Sequence, residues 1–190
     1  MLHDPAQNLI RLESPRLLFR EIVPGDEADL FRMDSDPEVH RYLGNRPVQS
    51  LEEMQAVIQM IRRQYTDFGI ARWAAVRKED SVFIGWAGFK FHTEVRNGHR
   101  DFYDLGYRLA RRFWGTGYAT EAALALTDYG FDVMKQEVLY ACTHLENYAS
   151  QRVLEKAGFL KKGTFKEDNE TIYWLEQSRE AYEKRKAAQP

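Results

Sequence analysis

The sequence has 190 residues, 27 Lys and Arg against 29 Asp and Glu, a formal charge of −2 with histidines neutral, and 44% hydrophobic residues. That composition belongs to a globular domain and excludes disordered, collagen-like and coiled-coil chains, while the near-balance of charge argues against direct nucleic-acid binding, which needs a basic excess. One cysteine, Cys142, allows neither an internal disulfide nor a cysteine-based zinc site, so no metal is expected and the reducing cytoplasm fits best. Residues 1–5 lack the basic-then-apolar order of a leader, and no run approaches the roughly 18 apolar residues of a membrane span. One domain over 1–190 is expected, with its core at about 11–176 and a charged tail at 177–190, of which Glu180 to Lys186 is expected to fray.

In chain order, Arg16–Ile22 predicts a strand, and Pro24-Gly25-Asp26 a turn that opens an amphipathic helix through Ala28, Leu30, Phe31 and Met33. Ser50-x-x-Glu53 is a capping box, followed at helical spacing by Met54, Val57, Ile58, Ile61 and Tyr65. From Ile70 the period changes to two. Ala71–Arg77 and Val82–Phe91, joined by Lys78-Glu79-Asp80, predict a hairpin, which Phe102–Ala110 extends to a three-stranded meander after a polar segment at Arg96-Asn97-Gly98. A glycine-bearing loop then leads into a helix from Gly117 to Asp132, whose Ala122, Ala123 and Gly130 permit close approach to a sheet. Strand Val138–Thr143, helix Ala149–Ala157 with Gly158 as C-cap, strand Phe159–Thr164 and strand Glu170–Leu175 complete the pattern. The fold class is α/β (α+β mixed): a central, largely antiparallel twisted sheet of about seven strands flanked by helices.

Arg111-Arg112-Phe113-Trp114-Gly115-Thr116-Gly117 joins a strand to a helix. Glycines there let backbone amides converge at a helix N-terminus, where the dipole and neighbouring arginines favour phosphate. The same residues also read as a tight turn with two solvated arginines. A Walker loop is excluded because Tyr118-Ala119 follows Gly117 where Lys-Ser/Thr is required, and a dinucleotide fingerprint fails at Thr120.

Arg112-x-x-Gly115-x-Gly117, set between Leu105–Leu109 and Trp114–Ala122, resembles the pyrophosphate loop of the GCN5-related N-acetyltransferases (GNAT). A second block, Glu146–Phe159, is similar to that family's Asn-x-x-Ser…Glu-Lys-x-Gly-Phe segment, and Leu12–Arg20 resembles its RimJ/RimL-type ribosomal-protein acetyltransferase branch. The resemblance implies the GNAT fold with a splayed strand pair as the acetyl-CoA groove. It implies an acetyl-CoA-dependent transfer of acetyl to a primary amine, a protein N-terminus or a small molecule, by direct attack in a ternary complex. Acetyl-CoA is then the donor co-substrate and an amine acceptor the other partner; no membrane or nucleic acid is involved, and a homodimer is left open. The backbone of Tyr107, Arg108, Leu109 and Ala110 would pair with the pantetheine arm. Arg112, Gly115, Thr116, Gly117, Tyr118, Ala119 and Thr120 would hold the pyrophosphate, and Asn147 would orient CoA or a water.

Many relatives carry a Tyr proton donor where this chain has Leu154, so Ser150 is the expected substitute acid; its alternative reading is a local hydrogen bond at a helix start. For the base, Asp104 leads Glu94, His144 and Glu146. Cys142 reads as buried and inert rather than as an acyl carrier. The contrasting function is a catalytically silent CoA-binding or sensing module on the same fold.

Overall fold

The computed structural model describes residues 10–188. The segment 1–9, on which the reading of the N-terminus as leaderless rests, and residues 189–190 lie outside it. The elements are β1 (Ile10–Glu13), β2 (Leu17–Glu21), α1 (Glu27–Asp34), α2 (Pro37–His40), α3 (Leu51–Phe68), β3 (Arg72–Arg77), β4 (Val82–His92) and β5 (Phe102–Leu109). They continue with α4 (Tyr118–Asp128), β6 (Val138–His144), α5 (Tyr148–Ala157), β7 (Leu160–Glu167), β8 (Glu170–Ser178) and α6 (Arg179–Ala187). Eight strands form one mixed sheet in the order β1-β2-β3-β4-β5-β6-β8-β7, antiparallel throughout except where β5 meets β6. The eighth strand, beyond the seven expected, is β1, which pairs with β2 across the Ser14–Arg16 turn.

Local chemistry fixes the ends of these elements. Ser50 Oγ accepts from the Glu53 amide at 3.2 Å and caps α3, while Glu53 returns a bond to the Gln49 amide at 2.9 Å, one residue earlier than an ideal box. In the meander, alternation sends Trp73 and Trp86 to opposite faces. Trp73 joins a core with Phe89, Leu126, Leu139 and Leu175 beneath α4 and α5, and Trp86 joins Ile22, Leu30, Met54 and Ile58 beneath α1 and α3. Burying each such side chain contributes about 1.5–3 kcal/mol, so both faces of the sheet are covered by substantial cores. Close approach to the sheet occurs at Gly130, where a Cβ would lie 2.6 Å from Leu139.

Two expectations are corrected, and one further element is found. The helix read as ending at Asp132 is α-helical only to Asp128 and finishes in a π turn, Tyr129–Val133. The short helix α2 was hidden in the polar stretch after Asp34. Glu180–Lys186, expected to fray, lies within α6, which is docked because Tyr182 is buried and stacks on Phe131 at 4.6 Å.

Candidate active site

β5 and β6 share a single aligned pair, Asp104 with Tyr140, and beyond it they diverge, so the β6-facing edge of β5 from Leu105 onward is unpaired. On its other side β5 is fully paired to β4 from Gly85–Leu109 to His92–Phe102. Gly85 is needed there: at φ 150° its missing Cβ would sit 2.1 Å from the Arg108 carbonyl oxygen. Two residues assigned to the free edge are engaged elsewhere. The Leu109 carbonyl accepts from Trp114 Nε1 at 2.8 Å, and the Ala110 amide donates to the Ile84 carbonyl at 2.9 Å, which leaves Leu105 to Arg108 as the free stretch. The Arg108 side chain points away from the split, to an ion pair with Asp34 at 2.9 Å.

Past the strand, the turn Arg111–Phe113 delivers Gly115 (φ 74°) and Gly117 (φ 86°) to the start of α4. Their left-handed backbone lets the chain double back, and no acceptor among the described residues meets the amides of Gly115 to Thr120. Arg112 is exposed beside them and lies over the Phe113 ring at 4.8 Å. The Thr116 hydroxyl donates to the Phe113 carbonyl, and Tyr118 is buried, so these two and Ala119 offer backbone rather than side chain. A cradle of free amides with a cation at its rim suits a pyrophosphate. Sequence reasoning missed what holds the cradle: Glu121, one turn into α4, accepts from Ser14 Oγ at 2.7 Å, the Arg16 amide at 2.7 Å and Arg16 Nε at 2.6 Å. Arg16 also donates to the Thr116 carbonyl at 3.1 Å, so the β1–β2 turn grips the loop. A groove of about 760 Å³ runs from Gly117 and Thr120 past Leu124 to Lys156.

On the other flank of the split, Asn147 is the N-cap of α5: its Oδ1 accepts from the Ser150 amide at 3.1 Å. The local bond foreseen for this helix start is therefore made by Asn147, and the Ser150 hydroxyl is directed elsewhere. It lies 3.0 Å from Tyr107 Oη, which also donates toward the Ser150 carbonyl at 3.2 Å. Burial pushes the Tyr107 hydroxyl up, so it stays protonated at neutral pH. The family resemblance uses only the backbone of Tyr107; strand alternation from buried Leu105 and Leu109 places its ring on the same face. Leu154 is buried core.

Of the four candidate bases, Glu94 and Glu146 are exposed. His144 Nδ1 accepts from the Glu146 amide at 3.1 Å, and its Nε2 faces Glu170 at 3.5 Å. Asp104 is mostly buried on the sheet face under α1–α3, where Arg96 meets it at 3.0 Å and His92 at 3.4 Å. Burial pushes the Cys142 thiol up, which keeps it a poor nucleophile. Among the described residues no group of three or more His, Cys, Asp or Glu is placed to hold a metal, and no helix is long and apolar enough to cross a membrane.

A largely antiparallel sheet flanked by helices and split beside an amide-rich helix end is the architecture of the N-acetyltransferase fold. The chain belongs to that family: residues 16–160 match the acetyltransferase (GNAT) domain. It is 31% identical over 156 residues to the uncharacterized N-acetyltransferase YoaA of Bacillus subtilis, spanning 82% of this chain and 86% of that protein. An acetyltransferase (GNAT family) from Bacillus anthracis superposes with a TM-score of 0.73 at 25% identity, covering 89% of this chain and 98% of that one. The spermidine N-acetyltransferase from Vibrio cholerae, solved with CoA and spermine, gives 0.72 at 18% identity over 88% and 98% and shares the fold. The family carries acetyl-CoA-dependent acetyltransferase activity.

Proposed function

We propose that this chain transfers acetyl from acetyl-CoA to a primary amine, a protein N-terminus or a small molecule, by direct attack in a ternary complex. The observation that carries the reading is the Ser150–Tyr107 hydroxyl pair, 3.0 Å apart, beside the edge of β5 left free at the split. Acetyl-CoA supplies the thioester whose acetyl group is transferred. The free amides of Gly115 to Thr120 and Arg112 hold its pyrophosphate, the Leu105–Arg108 backbone pairs with its pantetheine arm, and an amide near Leu105 or Gly106 polarises the carbonyl. The amine nitrogen bonds to the acetyl carbon as the C–S bond breaks. Ser150 gives the departing sulfur a proton and regains one through the Tyr107 hydroxyl from solvent, while the amine's proton leaves toward Asp104, which Arg96 holds in place. With Leu154 in the core, this hydroxyl pair stands in for the donor many relatives place there. Within the family, the resemblance of Leu12–Arg20 favours the RimJ/RimL-type branch.

The test is calorimetric titration with acetyl-CoA, followed by thiol release against N-terminal peptides, ribosomal proteins and small amines. Micromolar binding with thiol release on one acceptor class is expected. Binding with no release would favour the silent sensing module, and no binding would refute both.

A further inference from the structure

The sheet face opposite the Tyr107–Ser150 pair carries a charge pattern that acetyl-CoA binding leaves unused. Register places Arg72, Gly88 and Gly106 side by side across β3, β4 and β5. Gly88 lets the β3 backbone approach, since a Cβ there would lie 2.7 Å from Arg72 Cα, and Gly106 makes room for the Trp86 ring, 3.5 Å from where its Cβ would be. Two residues to either side, on the same face, Trp86 pairs with Arg108 and Lys90 with Asp104. The Arg72 and Arg108 guanidinium groups stand 4.6 Å and 5.2 Å from the Trp86 ring centroid.

The carboxylates nearby are already committed. Asp34 pairs with Arg108 at 2.9 Å, and both Asp104 and Glu167 pair with Arg96, at 3.0 Å and 2.6 Å. Arg72 and Lys90 meet no carboxylate within ion-pair distance among the described residues. Arg108 Nε and His40 Nδ1 are also buried without a partner there. Burial first, and then each cation's neighbour (Arg108 for Arg72, Arg72 for Lys90), brings the Arg72 guanidinium down to about 10 and the Lys90 ammonium below its ordinary value. A mostly buried guanidinium needs an anion, because the cost of removing it from water is recovered only through a charged, hydrogen-bonded partner.

We infer that Arg72 and Lys90 form the anion-binding half of the acceptor site, and that the acceptor is a small primary amine carrying its own acidic group rather than a polycation. This rests on the acetyltransferase reading and narrows its acceptor. The committed ion pairs Arg108–Asp34 and Asp104–Arg96 flank Arg72 and Lys90 along this face, which fits a small molecule. The same cationic field disfavours a protonated amine and so favours the nucleophilic form.

The experiment compares CoA-loaded protein titrated with three probes, using binding as the readout so that it does not depend on turnover. The probes are an equimolar pool of the twenty amino acids, the same pool as C-terminal amides, and phosphoethanolamine, with spermidine as the polycation control. At least tenfold tighter binding of the acid pool than the amide pool is expected, falling to within about twofold in Arg72→Gln and in Lys90→Gln, and kept in Arg72→Lys. Preference for phosphoethanolamine over the acid pool, lost in the same variants, would keep the anion site and make its ligand a phosphate. Equal signals from acid and amide pools without binding of phosphoethanolamine, or preference for spermidine, would overturn the inference. Thiol release from the amides in parallel would then show that the acetyltransferase reading survives.

Discussion

Ser150 has two hydrogen-bonding neighbours with different consequences. Its amide donates to Asn147 and serves the helix, whereas its hydroxyl meets Tyr107 and faces the split, so the two roles separate by substitution. Ser150→Ala keeps the cap and removes the proton donor. A positioned acid contributes about 10²–10⁴-fold, so kcat should fall about a hundredfold at pH 7 with acetyl-CoA affinity changed by less than about twofold. Tyr107→Phe, which leaves the serine in place without its support, should cost about tenfold. Because the Tyr107 hydroxyl behind it stays protonated, the donor remains available through neutral and mildly alkaline pH, so the deficit should be nearly constant from about pH 6 to 9 and fall on kcat rather than on KM. An unchanged kcat would make Ser150 structural.

At the scale of elements, the α4 N-terminus is held in place by a neighbouring turn. Burial pushes the Glu121 carboxyl up, but the Ser14 hydroxyl, the Arg16 amide and the Arg16 guanidinium more than offset this and hold it below its ordinary 4.5. A folded-state value below the unfolded one means the stabilisation is complete above about pH 4.5 and is lost as pH falls through the folded value. Glu121→Gln should thus cost about 1–3 kcal/mol at pH 7, in the range of charge-assisted bonds in a partly buried site. The gap to wild type should narrow in urea unfolding near pH 4. Because Arg16 also grips the Thr116 carbonyl, acetyl-CoA binding should weaken severalfold in the same variant. An equal stability gap at both pH values would show that the charge of Glu121 is irrelevant.

For the whole molecule, legibility tracked the range of the interaction. Period-two alternation from Ile70 to Ala110, the Ser50 cap and Gly158 are local, and the meander, α3 and α5 followed from them. Gly115 and Gly117 were legible for the same reason, since a left-handed turn before a helix is written in adjacent residues. The Glu121–Arg16 grip, the Tyr107–Ser150 pair and the Arg72–Gly88–Gly106 row join residues far apart in sequence, and only register brings them together. α6 failed for a related reason. Its nine residues, Arg179–Ala187, are mostly charged, and the one that docks it, Tyr182, finds its partner Phe131 in the π turn after α4. There the Tyr182 hydroxyl donates to Asp132 at 2.8 Å and lies 3.0 Å from Asp128, while Lys186 closes over it. A buried aromatic truncated to Ala costs about 3–5 kcal/mol. A chain of this size loses about 2–4 °C per kcal/mol, so Tyr182→Ala should lower Tm by at least about 6 °C. Tyr182→Phe keeps the stack on Phe131, loses only the hydroxyl bonds and should fall by less than half as much. Calorimetric melting of both variants decides the matter: a Tm unchanged within about 2 °C in Tyr182→Ala would mean that the helix frays in solution, whereas the graded loss would make α6 a fixed part of the core beneath α4.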